Sequence, residues 1–79
     1  MTIILRRPFI TKENKVKGCL MLQMAKTYMV ASETLREKGD EKYAELAYIG
    51  VMMWNKAAKL LGFRSIKDLD AWIKSGKEL

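Results

Sequence analysis

Few side chains in this chain are able to do chemistry, and most of those are cations. The sequence holds no histidine and a single cysteine, Cys19. Without an imidazole there is no ready general base near neutral pH and no partner to activate the thiol. Cys19 lies in an apolar run and reads as a structural thiol suited to a reducing compartment. Glu33 and Glu37 stand four residues apart, as do Glu41 and Glu45. Such pairs fall on one helix face and suit a metal ion, but no third ligand type lies nearby. Arg36, Lys38 and Lys42 balance them as a solvated polar face. No glycine-rich loop is placed to cradle a phosphate. The residue types point away from an enzyme, a metal, a cofactor or a small-molecule substrate.

The cations offer electrostatic recognition instead. Fifteen Lys and Arg stand against nine Asp and Glu, a net charge of +6. Residues 1–18 carry Arg6, Arg7, Lys12, Lys15 and Lys17 against Glu13 alone. Residues 53–67 carry Lys56, Lys59, Arg64 and Lys67 with no acid. The two other segments are each one charge negative, so the whole excess sits in two places. That distribution points to an anionic partner: nucleic acid or an acidic protein surface, ahead of a membrane face. A merely well-solvated surface accounts for the same charges.

The second cluster falls in Asn55–Lys77, NKAAKLLGFRSIKDLDAWIKSGK. Ala58, Leu61, Gly62 and Phe63, with the closing Trp72-Ile73-Lys74-Ser75-Gly76-Lys77, resemble the DNA-binding helix-turn-helix of small phage repressors and excisionase-like proteins. The resemblance covers about a third of the chain. It implies that Arg64, Ser65 and Lys67 approach base edges and nearby phosphates. Lys56 and Lys59 would hold backbone, and Arg6, Arg7, Lys12, Lys15 and Lys17 would form an accessory arm. Asp68 and Asp70 depart from the pattern, because phosphates repel them. A plain helical corner is the alternative for the same residues.

These residues must be positioned by helices. Asp40–Gly62 carries an apolar seam at Tyr43, Ala47, Gly50, Trp54, Ala57 and Leu61, in steps of three and four. Before it, Leu20, Met24, Tyr28, Ala31 and Leu35 form a second seam, widened by Met21, Ala25 and Met29. Lys38-Gly39-Asp40 between them reads as a tight turn, with Gly39 as the left-handed stop and Asp40 as the next N-cap. Counting outward from that turn pairs Leu35 with Tyr43 or Ala44 and Ala31 with Ala47. It also pairs Tyr28 with Gly50 or Val51, Met24 with Trp54 and Leu20 with Ala58. Ser65 opens a third helix with a capping pattern, and Ile66, Leu69 and Ile73 form its core face, with Trp72 alongside.

Residues 1–11 favour an extended chain through Ile3, Ile4 and Leu5, with Pro8 lacking a donor. No strand partner is evident elsewhere in the chain, so the arm is expected to lie over the helices with Ile4 and Phe9 packed on them; pairing with a second copy or with another protein's sheet edge are the alternatives. Thr11 is the candidate N-cap of the first helical turn, which Gly18 is expected to separate from the main helix.

The expectation is an all-α fold in a single domain, 1–79, with an extended basic arm at 1–11 and a three-helix core at 12–79. The core comprises an antiparallel hairpin, about 19–38 and 40–61, and a short third helix, about 65–75. Tyr48 and Met52 fall off the seam; either the third helix or arm covers them or they contact a partner, including a second copy of the chain. The start, MTIILRRPF, reverses the order of a secretory leader, and no apolar run spans a bilayer, so a cytoplasmic location is expected. The function read from these residues is a small binding or regulatory protein favouring nucleic acid. The alternative is a protein-binding adaptor or inhibitor of phage or mobile-element type.

Overall fold

The structure, a computed structural model, describes residues 6–79. The expectations for Ile3, Ile4 and Leu5 fall outside that range. Three helices follow in order: α1 (Lys12–Glu37), α2 (Tyr43–Leu60) and α3 (Ile66–Lys74). The first two form the antiparallel hairpin, and α3 closes one end of it.

Local chemistry sets the helix ends. The Thr11 hydroxyl accepts the Asn14 N–H at 3.0 Å, and the Ser65 hydroxyl accepts that of Asp68 at 3.3 Å. Both are N-caps satisfying donors that an α-helix leaves free. At the far end of α1, Asp40 N–H reaches Leu35 O at 2.9 Å and Gly39 N–H reaches Arg36 O at 3.1 Å. With Gly39 at φ +75, this is a Schellman stop. Phe63 and Gly62 repeat it at the end of α2, bonding to Ala58 O and Lys59 O. Asp40 acts differently from the expected N-cap. Its carboxylate accepts the Lys42 N–H at 2.9 Å within the turn, and α2 begins only at Tyr43.

α1 is one unbroken helix beginning at Lys12 rather than near residue 19. Gly18 does not split it. It lies buried against α2, where an added Cβ would stand 2.7 Å from Leu61 Cγ. The buried positions of α1 are Gly18, Leu22, Ala25 and Ser32. Met29 joins them, meeting Gly50, so that this face repeats in steps of four and three. This seam shifts the expected one toward its widening residues Ala25 and Met29: Tyr28, Ala31 and Leu35 are half-buried, but Leu20 and Met24 are 57% and 50% exposed. The reason is size. Gly18, Ala25 and Ser32 recur every seven residues and let the helix axes approach, whereas the larger side chains expected at the contact would hold them apart. Gly50 is opposite the Met29 sulfur and the Ala25 carbonyl, not the Tyr28 ring. The Ser32 hydroxyl crosses to Tyr43 O at 2.7 Å.

The α2 seam holds at Gly50, Ala57 and Leu61, which are buried, and at Ala47 and Trp54, which are half-buried; Tyr43 is exposed. The core gathers at the α3 end from Leu22, Ala57, Ala58, Leu61, Phe63 and Leu69. No described helix is long and apolar enough to cross a membrane.

Candidate anion-binding surface

The arm and the α2–α3 corner meet at Gly62. The last carbonyls of a helix lack intrahelical donors, and cations there complement the helix dipole. Arg6 and Arg7 supply both needs. Arg7 N–H donates to Gly62 O at 2.8 Å, and Arg6 pairs with Phe63 in an isolated antiparallel bridge. The arm therefore finds a backbone partner within the chain, contrary to expectation. Arg6 Nε–H donates to Leu61 O at 3.0 Å, and its other guanidinium nitrogen reaches the Leu79 main-chain oxygen at 2.6 Å. The same guanidinium lies 4.9 Å from the Phe63 ring centroid and 5.0 Å from that of Trp72. These two rings meet edge to face at 5.5 Å.

Arg6 is thus a structural rivet and not a free arm cation. Phe9, expected on the core, is 89% exposed. Ile10 takes the inward place and would touch a Cβ added at Gly62, whose φ is +90.

Pinning the arm here brings the two basic segments together. Arg6, Arg7, Lys59, Gly62, Phe63 and Arg64 line an open cleft of about 450 Å³. Arg7 also borders a second cleft of about 560 Å³, which contains Lys15 and Trp72. No Asp or Glu lines either one. Arg7, Lys59 and Arg64 are all exposed, so three cations face solvent around one concavity. Arg64 keeps a single acidic neighbour, Asp68 Oδ2 at 3.3 Å. Like charges gathered on a concave surface raise the local potential, and an anion seated there relieves their repulsion. Guanidinium groups suit phosphate or carboxylate oxygens through paired N–H donors.

The other expected residues divide. Lys12, Lys56 and Lys67 are exposed outside both clefts. Lys17 bonds to Glu13 at 2.9 Å, and this ammonium holds the Glu13 carboxyl below its ordinary 4.5. The Ser65 hydroxyl accepts the Asp68 N–H as the α3 cap. Asp68 therefore serves the corner through its backbone N–H and through its carboxylate on Arg64.

Tyr48 and Met52 are 67% and 46% exposed, covered by neither α3 nor the described part of the arm. Among the described residues, no three His, Cys, Asp or Glu side chains gather to hold a metal.

Sequence reasoning missed the part played by the last residues. Lys77 Nζ lies 4.7 Å above the Trp72 ring, and the Trp72 indole N–H donates to Glu78 O at 2.9 Å. Trp72 followed five residues later by a lysine is a faint signal for this, and the Arg6 contact leaves no local trace. No protein-family model, curated protein or solved structure matches the chain.

Proposed function

We propose that the protein binds nucleic acid through its phosphates, at the surface where Arg7, Lys59 and Arg64 surround one cleft. The observation that carries this reading is the meeting of two sequence-distant basic segments on a concavity lined by no acid. Lys15 extends the surface into the second cleft, and Lys12, Lys56 and Lys67 add longer-range attraction. The α2–α3 corner holds the residues whose sequence resembles a helix-turn-helix. On α3, however, Asp70 stands between Lys67 and Lys74, which favours backbone contact over base reading by this helix.

The test is a salt titration of binding to duplex DNA, single-stranded DNA and RNA oligonucleotides. Removing one phosphate-binding cation should flatten the plot of log affinity against log salt by about 0.9 for duplex and about 0.7 for single strands. The Arg7→Ala, Lys59→Ala and Arg64→Ala triple variant should therefore reduce the slope by about two to three units. Lys38→Ala, at the opposite end of the hairpin, should leave it unchanged. Absence of binding to any of these at about 50 mM salt sinks the reading.

A second reading, a protein-binding adaptor, rests on the exposure of Tyr48 and Met52.

A further inference from the structure

The exposed back of α2 carries an ordered pattern that the basic clefts do not use. Glu45, Tyr48, Ile49, Met52, Lys56 and Lys59 follow one another along it, and all six are exposed. The apolar members lie in the middle, the acid toward the helix start and the bases toward its end. From the midpoint between Ile49 and Met52, Glu45 and Lys56 lie equally far in opposite directions, each about 8 Å along the axis at the usual helical rise. Such a stripe is complementary to its own reverse.

We infer that a second copy of this chain docks antiparallel on this face. Around a two-fold axis at that midpoint, Ile49 of each chain meets Met52 of the other. Glu45 meets Lys56, and Tyr48 is covered near the centre. A two-fold interface repeats every pairing, so both charge pairs form at once. This proposal is independent of the nucleic-acid reading, although Lys59 borders both surfaces.

Charge order distinguishes this face from the other exposed apolar stripe, on α1. There a two-fold axis midway between Leu20 and Met24 sets Lys17 opposite Thr27 and Glu13 opposite Ala31, so no opposite charges meet. A parallel copy on α2 would oppose Glu45 to Glu45 and Lys56 to Lys56. Of these pairings, the antiparallel one on α2 joins opposite charges through Glu45 and Lys56 and apolar residues between them, with Lys59 falling opposite Lys42 at the margin. One helix face covers little area, so the dimer belongs to the small, weak class of interfaces.

Sedimentation equilibrium of the full chain, at low salt and without nucleic acid, tests this. The mass should rise from the monomer value of 9.1 kDa toward twice that as concentration climbs through roughly 10 μM to 1 mM, the range of weak association. Glu45→Lys alone and Lys56→Glu alone should each weaken association by on the order of tenfold or more, as like charges meet at both ends. The Glu45→Lys, Lys56→Glu double variant should restore it. Tyr48→Arg should abolish it, with helical content unchanged by circular dichroism. A wild type that stays monomeric across that range overturns the inference. A dimer that survives both single reversals, or a double variant that fails to recover, overturns it too. Because the readout is mass without nucleic acid, failure here leaves the salt titration above to decide the other reading separately.

Discussion

At the α3 end of the hairpin, Leu61 and Leu69 are completely enclosed, and Arg6 binds two main-chain oxygens and two aromatic rings. Toward the turn end, α1 and α2 touch through Ala25, Met29, Ser32 and Gly50, while Val30, Tyr48 and Val51 stay exposed. The two ends use the same helix pair but differ in what covers it. A third layer at one end excludes water from large side chains, whereas two helices alone enclose only small residues. In so short a chain, most stabilising burial is thereby concentrated at the end that also gathers the cations. The candidate surface rests on the most enclosed packing, whereas the opposite end leaves Tyr48 and Val51 exposed.

Substitutions should separate the ends. The largest effect is expected from Leu61→Ala, which empties a fully enclosed site and should cost about 2–5 kcal/mol. For a domain of this size each kcal/mol lowers Tm by about 4–8 °C, so thermal melts should fall by at least about 8 °C. A smaller shift would mean that the α3 end is not where stability is held.

Two glycines on the same interface make a sharper contrast. An added methyl at Gly18 would strike Leu61 Cγ at 2.7 Å, inside the enclosed core, so overpacking of about 1–3 kcal/mol should outweigh the gain of about 1 kcal/mol in helix propensity and leave Gly18→Ala destabilising. At Gly50 the nearest atom is the Met29 sulfur at 2.8 Å, on a flexible side chain, with the Ala25 carbonyl oxygen at a looser 3.3 Å. The gain of about 1 kcal/mol in helix propensity should then offset most of the strain, leaving Gly50→Ala close to neutral. Equal losses by denaturant unfolding would erase the distinction between the ends.

Arg6→Met keeps an apolar stem but removes the donors to Leu61 O and Leu79 O, and should cost about 1–2 kcal/mol. Arg7→Ala, on an exposed side chain, should leave stability within about 0.5 kcal/mol while lowering the salt slope of nucleic-acid binding. Reversal of that order would exchange the roles assigned to the neighbouring arginines.

The smallest effect concerns Glu13, whose carboxyl Lys17 holds below 4.5 by hydrogen bond and charge. A depressed folded value means that the pair stabilises above the unfolded value and is lost as pH falls through the folded one. The Tm difference between wild type and Glu13→Gln should therefore be present at pH 7 and shrink progressively as the pH falls below the ordinary carboxyl value of 4.5. High salt should also shrink it, because the pair is exposed. A difference unchanged between pH 7 and pH 3 would assign it to helix propensity instead.

Much of the architecture was legible because its causes are local. Thr11 and Ser65 cap because a hydroxyl reaches donors three residues ahead, and Gly39 and Gly62 stop helices because they accept positive φ. The α2 seam was legible because only one of its faces is continuously apolar. The contact face of α1 was not, since that helix has apolar residues around most of its circumference. Hydrophobicity picked the stripe at Leu20 and Met24, and close approach selected the smaller residues at Gly18, Ala25 and Ser32. The basic segments were legible as segments. Their meeting was not, nor was the removal of Arg6 from the free cations.

The amino-acid order by itself determined three helices, their caps and stops, the hairpin, and which stretches carry excess charge. All of these follow from interactions spanning a few residues. Tertiary structure alone decided how α1 is rotated, that Arg6 is a rivet, and that Arg7, Lys59 and Arg64 share a cleft. The Arg6 bonds join residues 55 and 73 positions apart, and no periodic pattern encodes a contact at that range. It forms because helix-end carbonyls need donors, and the folded corner places them where the arm passes.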